Sequence, residues 1–369
     1  MNNNLYKEIS GKVYKLGYTT GTCAAAATKA AIMLLENKLE NDIVIINTPY
    51  GIDLNINIVY KEKGANYAIC SIKKDSGDDY DVTNGIEIFS RVEYIEDKTI
   101  ITGGIGIGKV TKKGLKCKLG EYAINPEPIK MIKNAILQVS NKNFKVEIYA
   151  PEGIEMSKKT FNSRLGIVDG ISIIGTTGII TPMSEEAWKE SCSYELSVKK
   201  AEKKEHICFV FGNSSEVFAE KYLNINKDSI VSISNFVGYM IDTAVNMNFK
   251  SILIVGHTGK LIKLAGGIFH THSKIADCRM EIICTILAIN GIEKKIIKQI
   301  YNCNTTDMVN DILKENNIFD LWNIASDIAE ERCFQRALRT INIGCIMFNN
   351  NNDIAGKSKS VDKIIGYLR

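Results

Sequence analysis

No apolar run in the 369 residues approaches the roughly 18 that a membrane helix requires. The opening, Met1-Asn2-Asn3-Asn4-Leu5-Tyr6-Lys7-Glu8, has neither the cationic start nor the apolar stretch of a secretion signal. The expected location is therefore the cytoplasm, with no membrane partner. Ten cysteines include no C-x-x-C pair and mostly sit in apolar segments, so they read as reduced core residues and not as disulfides or a metal cluster. Excess charge of one sign is scarce too: a formal net charge of +4 is too small and too evenly spread to imply a nucleic-acid partner, and none is expected, while a small acidic ligand stays compatible. A P-loop is missing. Gly256-His257-Thr258-Gly259-Lys260 lacks the G-x-x-x-x-G-K-[ST] spacing, and Gly356-Lys357-Ser358 lacks the upstream glycine, so nucleotide hydrolysis is disfavoured.

What is present is a globular composition, with 45% hydrophobic and 24% charged residues. The length argues for two domains. In the first half, residues 22–36 read as a helix, because Ala24 to Ala27, Ala30, Ala31, Leu34 and Leu35 are strong helix formers; Thr19 and Thr20 then stand outside it. Strands are expected over 43–46, 54–60, 67–72, 85–94, 146–149 and 171–174, where β-branched or alternating apolar residues lie between Gly, Asp and Asn clusters. Pro126 and Pro128 open a helix to Val139, and a second helix starts at Ser184-Glu185-Glu186 with an acidic first turn. The charge run at the end of that helix, 199–205, marks the domain boundary. Beyond it, strands at 207–211, 229–234 and 251–255 alternate with helices at 215–223 and 236–247, the pattern of a parallel sheet covered on both faces. Residues 273–339 read as mostly helical, 342–348 as a late strand, and 349–352 as a turn. The fold class is α/β: an α+β domain over 1–204 carrying Gly/Thr ligand loops, then a Rossmann-like α/β domain over 205–369 with a helical C-terminal part.

Ligand chemistry in such folds gathers where strand ends lead into helix N-termini. Gly17-Tyr18-Thr19-Thr20-Gly21-Thr22-Cys23 offers three hydroxyls and flexible glycines before the alanine helix, and reads equally as an anion cradle or as an ordinary threonine-capped helix start. Gly175-Thr176-Thr177-Gly178 repeats that chemistry. Gly103-Gly104-Ile105-Gly106-Ile107-Gly108 resembles a nucleotide loop, but 109–115 continues as a hairpin and not as a helix, so a glycine-rich turn is the reading. His270-Thr271-His272, with Asp277 placed one turn into the next helix, has part of a metal-ligand pattern but too few ligands to close a site. A histidine at that helix N-terminus stays neutral and suits hydrogen bonding.

Taken together, Gly17-Tyr18-Thr19-Thr20-Gly21-Thr22-Cys23-Ala24-Ala25-Ala26, Gly170-Ile171-Ser172-Ile173-Ile174-Gly175-Thr176-Thr177-Gly178-Ile179, and Gly256-His257-Thr258-Gly259-Lys260 with Thr271-His272-Ser273 and Asp277 resemble the CbiD family. The resemblance runs from about Leu16 to Asp277. Ser214-Ser215 depart from it after Gly212-Asn213, as do His270 and Asp169. It implies methyl transfer from S-adenosyl-L-methionine to ring carbon 1 of cobalt-precorrin-5B, giving cobalt-precorrin-6A in anaerobic cobalamin biosynthesis. The alternative is a non-catalytic tetrapyrrole-binding or escort protein. On the enzyme reading, His257, His272 and Asp277 are the candidate catalytic residues. Thr19, Thr20, Gly21, Thr22, Thr176, Thr177 and Lys260 are candidates for holding substrate, and Gly212, Asn213, Gly256, Thr258 and Gly259 for holding the cosubstrate. Cobalt arrives only within the substrate, so no protein metal site is expected. A homo-oligomer and transient contact with neighbouring pathway enzymes are compatible with this role.

Overall fold

The computed structural model describes residues 5–9 and 11–369. The chain is mixed α/β and divides into two compact units, residues 1–185 and 186–369. The division falls at the first residue of the helix Glu185–Ala201, ahead of the boundary expected at 204. The reason is packing: Cys192 and Leu196 of that helix lie in the core of the second unit.

The first unit is built on a six-stranded sheet. Its spatial order is Ile43–Asn47, Asp53–Lys63, Tyr67–Lys73, Glu87–Ile95, Asn143–Tyr149, Ile100–Gly103, antiparallel except for the last pair. Alternation places Val44, Ile46, Leu54, Ile56 and Ile58 on one face, the half-buried pattern of an antiparallel sheet. That face is covered by the alanine helix, Thr20–Leu35, which also packs on the helix Pro126–Leu137. Cys23, the four alanines 24–27, Ala30 and Ala31 are fully buried, because side chains this small let the helix backbone approach the sheet closely. The helix begins two residues earlier than its apolar content suggests: Thr19 is the cap and Thr20 the first helical residue. Strand 171–174 shrinks to Gly170–Ile171, paired with Gly106–Ile107. The hairpin after Gly108 holds in outline, with Val110 hydrogen-bonded to Gly120 and Glu121 across an irregular loop.

The second unit is a five-stranded sheet in the order Ile230–Ser232, His206–Val210, Ser251–His257, Asn342–Phe348, Ile354–Lys357. The first four run parallel; the edge strand Ile354–Lys357, which the sequence pattern does not reveal, is antiparallel. Successive residues serve two cores. Ile207, Phe209, Ile252, Ile254, Ile343 and Cys345 face one helical layer, whereas Cys208, Val210, Leu253, Val255, Ile346 and Phe348 face the other. The chain leaves His206–Val210 for one edge and then returns to its other side at Ser251–His257. Such a switch point opens a crevice at the carboxyl ends of these two strands.

Helical structure after residue 273 differs from expectation. Residues 273–275 form a turn, Cys278 takes a left-handed φ of +46°, and the helix starts only at Arg279. A left-handed residue cannot continue a right-handed helix, so neither His272 nor Asp277 belongs to one.

Candidate functional site

Two clusters carry the residues singled out above. In the first unit, the helix start and the second Gly/Thr loop are bonded to each other. Thr19 Oγ1 accepts from the Thr22 amide at 3.2 Å. Thr22 Oγ1 donates to Gly178 O at 2.6 Å, and the Thr19 amide donates to the same carbonyl at 3.1 Å. Thr20 Oγ1 accepts from the Ile174 amide at 2.9 Å and donates to Ser172 O at 3.1 Å, while the Gly21 amide donates to Ile174 O at 3.0 Å. Gly175, at φ +132°, passes so near Thr19 that a Cβ would overlap its side chain. All three hydroxyls and the Gly21 and Thr22 amides are thereby satisfied within the protein, so these groups latch two segments together and are not free for an open cradle. What the latch presents to solvent is Thr176 and Thr177; Thr177 Oγ1 donates to Ile179 O at 3.0 Å.

A prediction follows from the Thr20 bonds. Thr20→Val keeps the shape but leaves the Ile174 amide and Ser172 carbonyl short of a partner, and should lower stability by about 1–3 kcal/mol. Urea unfolding measures this; an unchanged midpoint would show that the latch contributes nothing.

Beneath the latch lies a charge pair that the sequence hides in the run Lys73-Lys74-Asp75. Lys74, 2% exposed, donates to Ser76 Oγ at 2.5 Å and Asp81 Oδ2 at 2.7 Å. Burial raises the Asp81 pKa, but the Lys74 charge and hydrogen bonds from Lys74 and Thr83 outweigh it, leaving the carboxyl below its usual range. Burial pushes the Cys23 thiol up to about 12 despite the pull of Lys74, so it is inert at neutral pH.

The second cluster lies at the carboxyl edge of the parallel sheet. Gly212 caps the helix Asn213–Lys221 without any side-chain hydrogen bond, and open space surrounds the position a Cβ would take. Gly256 is buried at the end of the neighbouring strand. His257 caps the helix Thr258–Ala265: its Nδ1 accepts from the Gly259 amide at 3.2 Å. In the neutral ring this places the proton on Nε2, which faces Asp307 Oδ2 at 3.9 Å. Neither nitrogen of His257 is then a free base. Thr258 Oγ1 bonds Thr306 Oγ1 at 2.9 Å, tying in the helix that carries Asp307. Lys260 donates to Asn235 Oδ1 at 2.8 Å over the face of Phe211, and burial, with Lys263 nearby, lowers its pKa. Asn235 Oδ1 also accepts from Thr271 Oγ1 at 3.2 Å.

His272 is exposed, its Nδ1 accepting from the Lys274 amide at 3.1 Å. Asp277 is clasped by Arg279 through Nε at 2.5 Å and Nη2 at 3.0 Å, which holds its carboxyl below the usual range. No hydrogen bond links His257 with His272 or Asp277 among the described residues; the structure gives Asp277 an ion-pair role. Asp307, Asn235 and Arg279 complete the cluster; Asp307 and Asn235 carry no local sequence signal, since their partners lie 25 to 50 positions along the chain, whereas Arg279 pairs with Asp277 two residues away. No group of three or more His, Cys, Asp or Glu side chains able to hold a metal ion occurs among the described residues. Nor, among them, is any helix long and apolar enough to cross a membrane.

The CbiD family model matches residues 7–182, and the model of the CbiD C-terminal domain matches residues 270–359. The cobalt-precorrin-5B C(1)-methyltransferase of Ruminiclostridium cellulolyticum is 46% identical over 353 residues, covering 93% of this chain and 91% of its own. That of Photorhabdus laumondii is 41% identical over 366 residues, covering 98% and 97%. A crystal structure of the cobalamin biosynthesis protein cbiD from Archaeoglobus fulgidus aligns with 71% of this chain and 83% of its own at 30% identity and a TM-score of 0.40. With both units matched in order and relatives similar from end to end, the chain belongs to the CbiD family.

Proposed function

We propose that the chain transfers a methyl group from S-adenosyl-L-methionine to ring carbon 1 of cobalt-precorrin-5B, giving cobalt-precorrin-6A. The observation that carries this reading is the identity to the two methyltransferases across nearly the whole of each chain. Chemistry favours it as well. A sulfonium methyl is already activated and the ring carbon is electron-rich, so the protein needs alignment and exclusion of water more than a catalytic triad. The edge formed by Gly212, Asn213 and Gly259, beside two helix N-termini, suits the donor, because open space surrounds the Cβ position of Gly212; Gly256 and Thr258 are buried next to it. Lys260 in the second unit and the exposed Thr176 in the first each supply a group suited to a carboxylate. In its neutral form His257, whose Nδ1 accepts from the Gly259 amide, offers Nε2–H as a donor.

The test is a calorimetric titration with S-adenosylhomocysteine, paired with an assay for a product heavier by one methyl group. Saturable heat and the methylated product are expected. An escort protein has no use for the donor, so absence of heat at millimolar ligand, with and without tetrapyrrole, would overturn the enzyme reading.

A further inference from the structure

Lys263 is 3% exposed, in the last turn of the helix Thr258–Ala265. Its ammonium donates to Thr271 O at 3.2 Å and Ala276 O at 2.7 Å. The third N–H has only Asp277 Oδ1 at 3.9 Å, and Asp277 is already clasped by Arg279. Burial lowers the lysine's pKa, with Asp277 acting the other way. A buried cation with neutral carbonyls as its close partners is an expensive way to fill a core; a methionine of similar length would fill it without desolvation. The ammonium does what an apolar stem cannot: one atom joins both ends of the 271–276 loop. Between those ends His272 O accepts from the Ile275 and Ala276 amides, so the segment is a closed turn. Its tip, His272, Ser273, Lys274 and Ile275, is exposed. Its base meets the carboxyl edge of the sheet, where the Thr271 amide donates to Asn235 O at 3.1 Å and Lys260 shares the Asn235 side chain.

We propose that Lys263 is a positioning residue, tying the 271–276 loop so that Lys274 and His272 meet the carboxylates of the tetrapyrrole. This rests on the methyltransferase reading above for the identity of the ligand, but not for the tie itself. Without the ammonium, the buried Thr271 carbonyl and the part-buried Ala276 carbonyl lose their shared donor, and the former regains one only if the loop opens to water.

The experiment compares the full-length wild type with Lys263→Met, Lys263→Arg and Lys274→Ala. In Lys263→Met, amide hydrogen exchange over residues 271–277 should rise at least tenfold with the rest of the second unit unchanged, and Lys263→Arg should restore most of the protection. KM for the cobalt-precorrin should rise about tenfold in Lys263→Met with kcat and the affinity for S-adenosylhomocysteine unaltered. Lys274→Ala, a surface change that does not threaten folding, should raise the same KM. Unchanged exchange in Lys263→Met, or acceleration throughout the unit, would overturn the tie. A normal KM in Lys274→Ala and Lys263→Met would overturn the substrate contact. A wild type that transfers no methyl group refutes the functional reading, while the exchange comparison still decides the tie.

Discussion

Gly106→Ala should be among the most damaging single-methyl changes in the first unit, lowering its stability by about 2–6 kcal/mol. Gly106 takes φ +78°, and a Cβ there would overlap the Ala150 carbonyl. The left-handed backbone costs a non-glycine residue about 1–3 kcal/mol. Forcing a methyl into a packed contact adds about 1–3 kcal/mol, because main chain cannot swing aside as a side-chain end can. The control is Gly120→Ala: Gly120 has a similar φ of +84° with nothing within 4 Å of its Cβ position, so it bears the conformational cost alone. Urea unfolding of both variants separates the two contributions. Equal losses would show that the Ala150 contact is slack.

The second large effect concerns Lys74. Asp81→Asn preserves the acceptor for the Thr83 amide and hydroxyl but removes the charge facing a side chain that is only 1% exposed. The expected loss is about 3 kcal/mol, the low end for a broken buried pair, because Asp81 keeps part of its surface in water. Lys74→Met should cost less, since the remaining carboxylate can be hydrated, and the double variant should recover much of the loss. Additive losses would mean that the two groups do not interact. The pair also sets a pH dependence. The folded-state pKa of Asp81 is depressed, so its contribution is complete above the unfolded carboxylate value near 4 and is lost as pH falls through the folded value. Asp81→Asn should flatten the stability curve in that acid range.

These residues show where reading along the chain stops. A β-branched run at 43–46 and alternating apolar residues at 54–58 mark strands, and small side chains from Ala24 to Ala31 mark a buried helix, because periodicity and propensity act locally. The parallel sheet of the second unit is legible for the same reason. Partners distant in sequence are not. The glycines at 103–108 resemble a phosphate loop, yet Gly106 answers to a carbonyl at 150. Lys74 and Lys263 look like surface charge until their partners are in place. Asp277 reads as helical because its neighbours favour helix, and the left-handed turn at Cys278 cancels that preference. The threonine motif was visible as a motif, but its hydroxyls are committed to backbone groups on a segment that composition does not connect to it.

The latch has a consequence for synthesis. Thr20 and the Ile174 amide are separated by 154 positions. At translation rates of about 5–20 residues per second, roughly 8–30 s pass between the appearance of one and of the other on the ribosome. The sheet strands and the helix Pro126–Leu137 that cover the body of the alanine helix emerge well before that. Its first turn must wait. During that interval the growing chain carries a mostly shielded helix with an open amino end, and any shortened chain stopping before Ser172 would keep that end open permanently.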